Sequence, residues 1–393
     1  MTSLGNDRIY SVCQGVFWGS GGGGASTFLK GVQAVGINRN VSPEFLSDTG
    51  RMNQTFLRYG KTAYEITVTR ILDVDESTFY TSPTELYSTG HLLAETAIGP
   101  GGPGLPVREY DIMISYGTDD KVALGSSGGY SSQLFTYCVL TNISYTFSAE
   151  GSVTENLTFL GQRYEQGTSG GGPTEASPDE GFVIRRQDLD IGLPTTNSVF
   201  PKEVEEAFQD GVKNEGGVAV KSYGLTSIDI SCDISYRDIP DYGKWDGSDT
   251  PADANKFKLV ELPVSITATF NGWIKTHYFI SSLKDHQVTD TLHTSLPYGG
   301  EGKGVDNYFS DRQIRIVTKQ ITRKDRDGII LNNPQYWIWD LGSRNYMADF
   351  SVSGGDVGGG NVEASMTFVN DCSDFFVYQK TNTPLPTWPP TKV

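Results

Sequence analysis

Several segments in each half of the chain alternate between apolar and polar residues with a period of two. The clearest is residues 225–236, where Ile228, Ile230 and Cys232 share one phase and short polar residues occupy the other. Successive side chains of a β-strand point to opposite faces, so the pattern predicts strands with one apolar and one hydrated face. The same alternation marks residues 63–72, 142–150, 153–160, 263–270, 346–352 and 362–368, and residues 32–41 follow it less cleanly.

The two halves also share the order of their strands and turns. Residues 31–51 align with residues 224–244 without a gap, and glycines, apolar positions and an Asp coincide. Matches in the same order along both halves predict a duplicated domain. The shorter matches that follow are residues 66–69 with 266–269, 142–148 with 345–351, and 157–159 with 366–368.

The length of 393 residues leaves room for two domains, each with its own core. A Gly/Pro/Ser-rich stretch predicts a linker at residues 171–185, between a first β domain (1–170) and a second (186–393). Helix signals are few: residues 200–211 are the best candidate, and residues 83–88 are a shorter one. The predicted fold is mainly β, with two tandem, similar β-sandwich or curled antiparallel domains, each with a short flanking helix.

The charge and the cysteines narrow the function classes. A net charge of −16, without a basic run, disfavours a protein that grips nucleic acid. The four cysteines lie far apart without a CxxC pair, which predicts no disulfide framework and fits a reducing compartment. No cationic leader opens the sequence, and no segment approaches the roughly 18 apolar residues of a membrane span. We therefore expect neither ordinary export nor membrane insertion.

The sequence contains no specific catalytic or metal-binding pattern. The four histidines lack metal spacing, the glycine run at 19–26 lacks the phosphate-loop Lys, and no GxSxG elbow occurs. An acidic loop at Asp246, Asp249 and Asp253 lacks the closing Glu of an EF-hand. Carboxylates at residues 73–76 are explained by a polar strand end as well as by glycosidase chemistry. The sequence therefore predicts no enzyme, no metal and no cofactor.

The specific feature is the polar phase of the strands, which carries short hydroxyls, amides and carboxylates and almost no Lys or Arg. An ordinary exposed sheet face carries more of those long cations. Such a face suits the wall of a hydrated channel past which a polyanion slides, and the plain water-exposed face of an acidic protein is the alternative. The predicted lumen-lining residues are Glu65, Thr67, Thr69, Asn142, Ser144, Thr146, Asp229, Ser231, Asp233, Ser265, Thr267 and Thr269.

Residues 141–161 (TNISYTFSAEGSVTENLTFLG) and residues 31–51 (GVQAVGINRNVSPEFLSDTGR) resemble the corresponding segments of tail tube proteins of tailed bacteriophages. The resemblance is of pattern, extends to 224–270 and 345–369, and includes no invariant motif. It implies rings whose inner sheets join into a continuous β-barrel and stack into a tube for DNA. This chain is about twice the usual single-domain length, so the resemblance implies a duplicated form that closes as a trimer with six similar domains.

The resemblance also implies the partners and the location. The chain would bind itself within and between rings, DNA would transit without specific binding, and no membrane would be involved. The tape-measure protein is a further partner, and a sheath is another candidate. The protein would assemble in the host bacterial cytoplasm and reside in the virion tail. The alternatives are another β-rich virion component, such as a baseplate, decoration or fibre protein, and a carbohydrate-binding module.

Overall fold

The computed structural model describes nineteen stretches of the chain, and the statements below concern these residues. They are residues 14–20, 24–25, 27–29, 31–46, 56–72, 87–88, 109–116, 131–161, 163–167, 183–191, 198–215, 218–239, 257–260, 264–274, 313–319, 335–342, 345–354, 362–370 and 376–381.

The described residues are mainly antiparallel β-strands, as the alternation predicts. In the first half the strands are β1 Gln14–Ser20, β2 Thr27–Phe28, β3 Val32–Leu46, β4 Phe56–Ile71, β5 Tyr87–Ser88, β6 Tyr110–Tyr116, β7 Ser131–Ser148, β8 Thr154–Gly161 and β9 Arg163–Gly167. In the second half they are β10 Gln209–Glu215, β11 Val218–Tyr223, β12 Leu225–Asp233, β13 Tyr236–Ile239, β14 Phe257–Val260, β15 Ser265–Trp273, β16 Arg315–Val317, β17 Gln335–Asp340, β18 Asn345–Ser353, β19 Glu363–Asn370 and β20 Phe376–Thr381.

The main sheet runs through both halves of the chain without a break. Its strands pair in the order β3-β4-β8-β7-β12-β15-β19-β18, and every pair is antiparallel. The first part of β7 leaves this sheet and pairs with β6 and β9 instead. Tyr137, where β7 changes sheets, has a φ of 54°. Its N–H donates to Asp111 Oδ1 at 3.2 Å, which holds this unusual backbone in place.

The main sheet consists of two sets of four strands with the same pairing order. We call β3-β4-β8-β7 the first set and β12-β15-β19-β18 the second set. Each set has a register shift at the start of its first strand and another in its last strand. The shifts lie between Val32 and Ala34 in β3 and between Leu225 and Ser227 in β12, and between Leu140 and Asn142 in β7 and between Met347 and Asp349 in β18.

Backbone hydrogen bonds outside the ladders correspond in the same way. Ile71 N donates to Gly31 O at 2.9 Å, and Trp273 N donates to Gly224 O at 2.9 Å. At Gly31, φ is 73° and an added Cβ would lie 2.3 Å from the carbonyl oxygen of Ile71. The glycine that opens the first set is therefore required by a close backbone approach.

When the two sets are aligned at their register shifts, two of the matches between the halves that the sequence predicted are corrected. Residues 66–69 correspond to 268–271 and not to 266–269, and residues 142–146 correspond to 349–353 and not to 345–349. Both displacements are even numbers of residues. Because a slip of two keeps each side chain on the same face, the alternation alone could not detect these errors.

One α-helix lies in the described part of the chain, α1 at Lys202–Phe208. It is shorter than the predicted 200–211, because the chain enters β10 at Gln209. Of the predicted helix at 83–88, Tyr87 and Ser88 form a short strand instead and the other residues lie outside the described ones. The sequence predicted a flanking helix in each half. The described residues contain one of them, α1 in the second half. None of the described helices is long and apolar enough to span a membrane.

A single core joins the two halves. Trp339 of β17 is fully buried and packs edge-to-face against Phe147 of β7, with ring centroids 4.9 Å apart. Under the second set, Phe200 lies 5.5 Å from Phe270, and α1 contributes three buried apolar side chains, Val204, Ala207 and Phe208. The apolar face of the main sheet is thereby covered along its central strands, and its other face is left to water.

Candidate functional site: a polar sheet face and two open edges

All twelve predicted lumen-lining residues lie on the same face of the main sheet, and none of them is buried. Nine of them form three rows across β7, β12 and β15, which are Asn142–Asp233–Ser265, Ser144–Ser231–Thr267 and Thr146–Asp229–Thr269. Glu65, Thr67 and Thr69 of β4 join the same face through β8, since Thr67 pairs with Thr158 and Thr158 pairs with Asn142. The twelve residues therefore share one hydrated face, and their role as a lumen stays a prediction.

Hydrogen bonds link the polar side chains from strand to strand. Asn142 Nδ2 donates to Asp233 Oδ1 at 2.5 Å and to Ser231 Oγ at 3.1 Å, across the β7–β12 seam. Thr69 Oγ1 donates to Asn156 Oδ1 at 2.8 Å, between β4 and β8. Short side chains that bond one another in this way lie close to the sheet and leave the space above it open.

The structure adds residues that the sequence-based list omitted. Asn271 Nδ2 donates to Ser227 Oγ at 2.9 Å and to Asp229 Oδ2 at 3.3 Å, and Thr269 Oγ1 lies 3.1 Å from Thr367 Oγ1. These partners belong to the same polar phase of β12, β15 and β19. The alternation could have identified them, but the cross-strand register that makes them neighbours was not known.

Among the twelve predicted residues of this face, every charged side chain is negative. Glu65 and Asp233 are exposed, and Asp229 is half-buried. Cys232 lies on the other face, where it is fully buried and where burial raises the pKa of its thiol. It is therefore a core residue, as predicted, and the hydrated face carries no nucleophilic thiol among its predicted residues.

The two ends of the main sheet, β3 and β18, expose apolar side chains that the alternation assigns to the buried face. Ile37 of β3 is 40% exposed and Val352 of β18 is 45% exposed. Under the superposition they correspond to Ile230 of β12 and Tyr145 of β7, which are directly opposite each other and are both fully buried. The difference is that β7 and β12 have each other as neighbours, whereas β3 and β18 each pair on one side only among the strands that the structure describes.

A cleft of about 660 Å³ lies at one end of the β7–β12 seam. Its lining includes Glu150 and three cations, Arg185, Arg186 and Lys319. The described residues contain no group of three His, Cys, Asp or Glu side chains that could hold a metal ion. The cleft offers charge but no arrangement of acid, base and nucleophile, so the sheet face and its edges remain the candidate functional surface.

Two solved structures show what this chain is similar to. No family model and no curated protein matches this sequence. One neighbour is the cap that terminates the tube of the anti-feeding prophage, with a TM-score of 0.28 and 15% identity over 41% of this chain and 92% of that chain. Another is the tail tube of SPP1, with a TM-score of 0.27 and 16% identity over 44% of this chain and 84% of that chain. Both are phage or prophage tube and cap proteins. At these TM-scores the function has to be argued from the residues themselves.

Proposed function

We propose that this chain is a structural protein of a phage tail and that it assembles with itself, head to tail, into the rings of a tail tube. The observation that carries the proposal is the β7–β12 seam. It joins the last strand of the first set to the first strand of the second set. Within the described part of the chain, the same two kinds of edge, the last strand β18 and the first strand β3, lie open at the ends of the sheet. A second copy can therefore repeat the seam.

The register of this contact between chains follows from the seam. Ile230 and Tyr145 pair within the chain, so Ile37 of one copy pairs with Val352 of the next. This buries Ile37 and Val352, which are both exposed in the single chain. The remaining pairs are Gly36 with Ser353, Asn38 with Ser351, Arg39 with Phe350 and Asn40 with Asp349.

The last of these pairs keeps a specific hydrogen-bonding combination. Within the chain, Asn142 of β7 donates to Asp233 of β12. At the corresponding positions of the open edges the two residue types are exchanged, with Asp349 on β18 and Asn40 on β3. An amide and a carboxylate can bond in either direction, so the exchanged pair supports the same register.

Head-to-tail contacts either close into a ring or continue as a filament. With two sets per chain, a ring of three chains has six sets in one continuous barrel, and closure pairs the edges of the main sheet at β3 and β18. We propose the gene duplication on the same grounds, with the domains at residues 1–170 and 186–393 and the linker at 171–185. The tape-measure protein and a sheath are the further partners that this assignment implies, and the virion tail is the location, after assembly in the host cytoplasm.

The polar face then becomes the wall of the passage. Its twelve predicted residues include three carboxylates and no cation. Binding of DNA phosphates depends on Lys and Arg, so a wall without them holds no DNA and lets it slide through a layer of water.

Disulfide cross-linking tests the proposed contact between chains. In a background with Cys13→Ser and Cys372→Ser, we expect Ile37→Cys with Val352→Cys to give covalent dimers and trimers on oxidation. The two Cβ atoms of directly opposed residues lie about 4.5–5.5 Å apart, within reach of a slightly adjusted disulfide. The measurement is a non-reducing gel of assembled protein, together with negative-stain images of rings.

The matched control is Asn38→Cys with Val352→Cys. Residues 37 and 38 are adjacent in β3 but point to opposite faces, so this control should not cross-link. Equal cross-linking of both variants, or monomers alone at high concentration, would contradict the proposed register and the ring.

Charge reversal on the polar face tests the passage. Asp229→Lys with Asp233→Lys should leave ring formation nearly normal, because both side chains lie on the hydrated face. The variant tubes should retain double-stranded DNA at low salt, in a salt-dependent manner, and phage that carry the variant should eject DNA poorly. Co-sedimentation of tubes with DNA measures retention. Ser265→Lys, on a neighbouring strand, should act in the same direction with a smaller effect, and unchanged DNA release in the double variant would remove β12 from the lumen.

A further inference from the structure

One end of the second set carries a second group of exposed apolar residues. Trp273 at the end of β15 and Val362 just before β19 are each 39% exposed. Ile274 N donates to Val362 O at 2.9 Å, which holds the two segments side by side. We call Trp273, Ile274 and Val362 the second-set end.

The corresponding end of the first set is covered. Leu72 N donates to Val153 O at 3.0 Å, which is the counterpart of the bond between Ile274 and Val362. Here Leu72 is fully buried and Val153 is 1% exposed. The cover is Ile184, whose N–H donates to Leu72 O at 3.1 Å and whose C=O accepts from Val153 N at 2.8 Å.

Ile184 belongs to a segment that leads into the second half of the chain. Five positions later (189 minus 184), Leu189 forms a bridge to Thr318, directly after β16. The cover of the first-set end is therefore supplied by the half that follows it. In a head-to-tail ring, the half that follows the second set is the first half of the next chain.

The equivalent segment of the first half follows from an alignment of buried pairs. We match Ile316 and Trp339, paired between β16 and β17, to Ile112 and Phe135, paired between β6 and β7, which places Thr318 at the position of Ile114. Ile114 pairs with Val16 of β1, and Val16 therefore takes the place of Leu189. Five positions before Val16 is Ser11, within the apolar stretch Ile9, Tyr10, Ser11 and Val12.

We propose that residues 9–12 of a second copy cover the second-set end, as Ile184 covers the first-set end within the chain. The segment adds a strand-like bridge to Ile274 and Val362 and buries Trp273 and Val362 against the neighbouring chain. This inference rests on the proposed head-to-tail ring. It adds a second contact between the same two chains, in which an N-terminal segment crosses the boundary and fastens the ring beyond the strand pairing.

Cross-linking between two differently sized populations tests this contact. One population carries single cysteines scanned over residues 9–12, and the other, lengthened by a tag, carries Val362→Cys, both with Cys13→Ser and Cys372→Ser. On oxidation of mixed rings we expect heterodimers in at least about half of the cross-linkable pairs at the best position of the scan, because a bridged segment holds its Cβ atoms within disulfide reach. The matched control replaces Val362→Cys with Val153→Cys, at the corresponding position that Ile184 already covers, and should give none.

The result separates this inference from the proposed function. Heterodimers with Val362→Cys, and none with Val153→Cys, support it. If no position of the scan gives heterodimers while Ile37→Cys with Val352→Cys still cross-links, the N-terminal contact is wrong and the ring stands. If neither pair cross-links, both are wrong. A third protein carries both cysteines, Val362→Cys and the best position of the scan, in the same chain. If it forms the disulfide within dilute monomers, the occupant is the same copy, and the exchange is overturned.

Discussion

Chains that carry Ile37→Glu together with Val352→Glu are expected to fold normally and to remain monomeric. Both side chains are exposed in the single chain, at 40% and 45%, so a carboxylate at either position stays hydrated there. In the ring the two residues would face each other in a site whose counterpart, Tyr145 opposite Ile230, is fully buried. Burying two like charges costs several kcal/mol, so we expect the association constant to fall by roughly 1,000-fold or more, about 4 kcal/mol.

Sedimentation velocity measures this loss of assembly, and far-UV circular dichroism checks the fold. The matched control is Asn38→Glu with Ser353→Glu, which adds the same charges at polar-face positions that are not directly opposed and should still assemble. Ile37→Glu with Val352→Lys should recover part of the assembly, because opposite charges in a cross-strand pair attract. Rings formed by the double-Glu variant at wild-type concentration would exclude the pairing of β3 with β18.

The alternation predicted the strand faces because a period of two is a local property of the sequence. In β12, the apolar residues Ile228, Ile230 and Cys232 are buried, and the polar residues between them face water, as predicted. The alternation could not predict the register of the strand pairs, because a slip of two residues keeps every side chain on the same face. For this reason, two sequence matches between the halves were displaced, by two and by four residues. The pairs that define the candidate site depend on that register. Asn142 and Asp233, for example, are separated by 91 residues in the sequence.

Other features could not be predicted because they depend on tertiary contacts. Tyr137 has a backbone conformation that favours glycine, and it is held by Asp111 from a neighbouring strand, so no local signal marks the place where β7 changes sheets. The helix predicted at 200–211 ends early because residues 209–215 pair with β11, a competition that helix propensity does not contain. The open edges were likewise visible only after the strand order was known.

The core of the first set contains a charged cluster that the second set lacks. Arg70 and Glu155 are fully buried and form an ion pair, and Tyr145 Oη donates to Glu155 Oε1 at 2.7 Å. The superposition places Gly272, Ala364 and Val352 at the three corresponding positions. All three polar members are replaced together, so the fold has both a charged and an apolar solution for the same location.

Arg70→Met is therefore expected to lower the free energy of unfolding by about 3–5 kcal/mol, because it leaves the carboxylate of Glu155 buried without its cation. The triple variant Arg70→Met with Glu155→Leu and Tyr145→Phe removes the whole cluster and should recover most of that loss, as the apolar second set suggests. Urea titrations of the monomeric Ile37→Glu, Val352→Glu background measure both, free of any contribution from assembly. If Arg70→Met alone cost less than about 1 kcal/mol, the pair would be hydrated in solution, and the first-set core would be more open to water than its packing indicates.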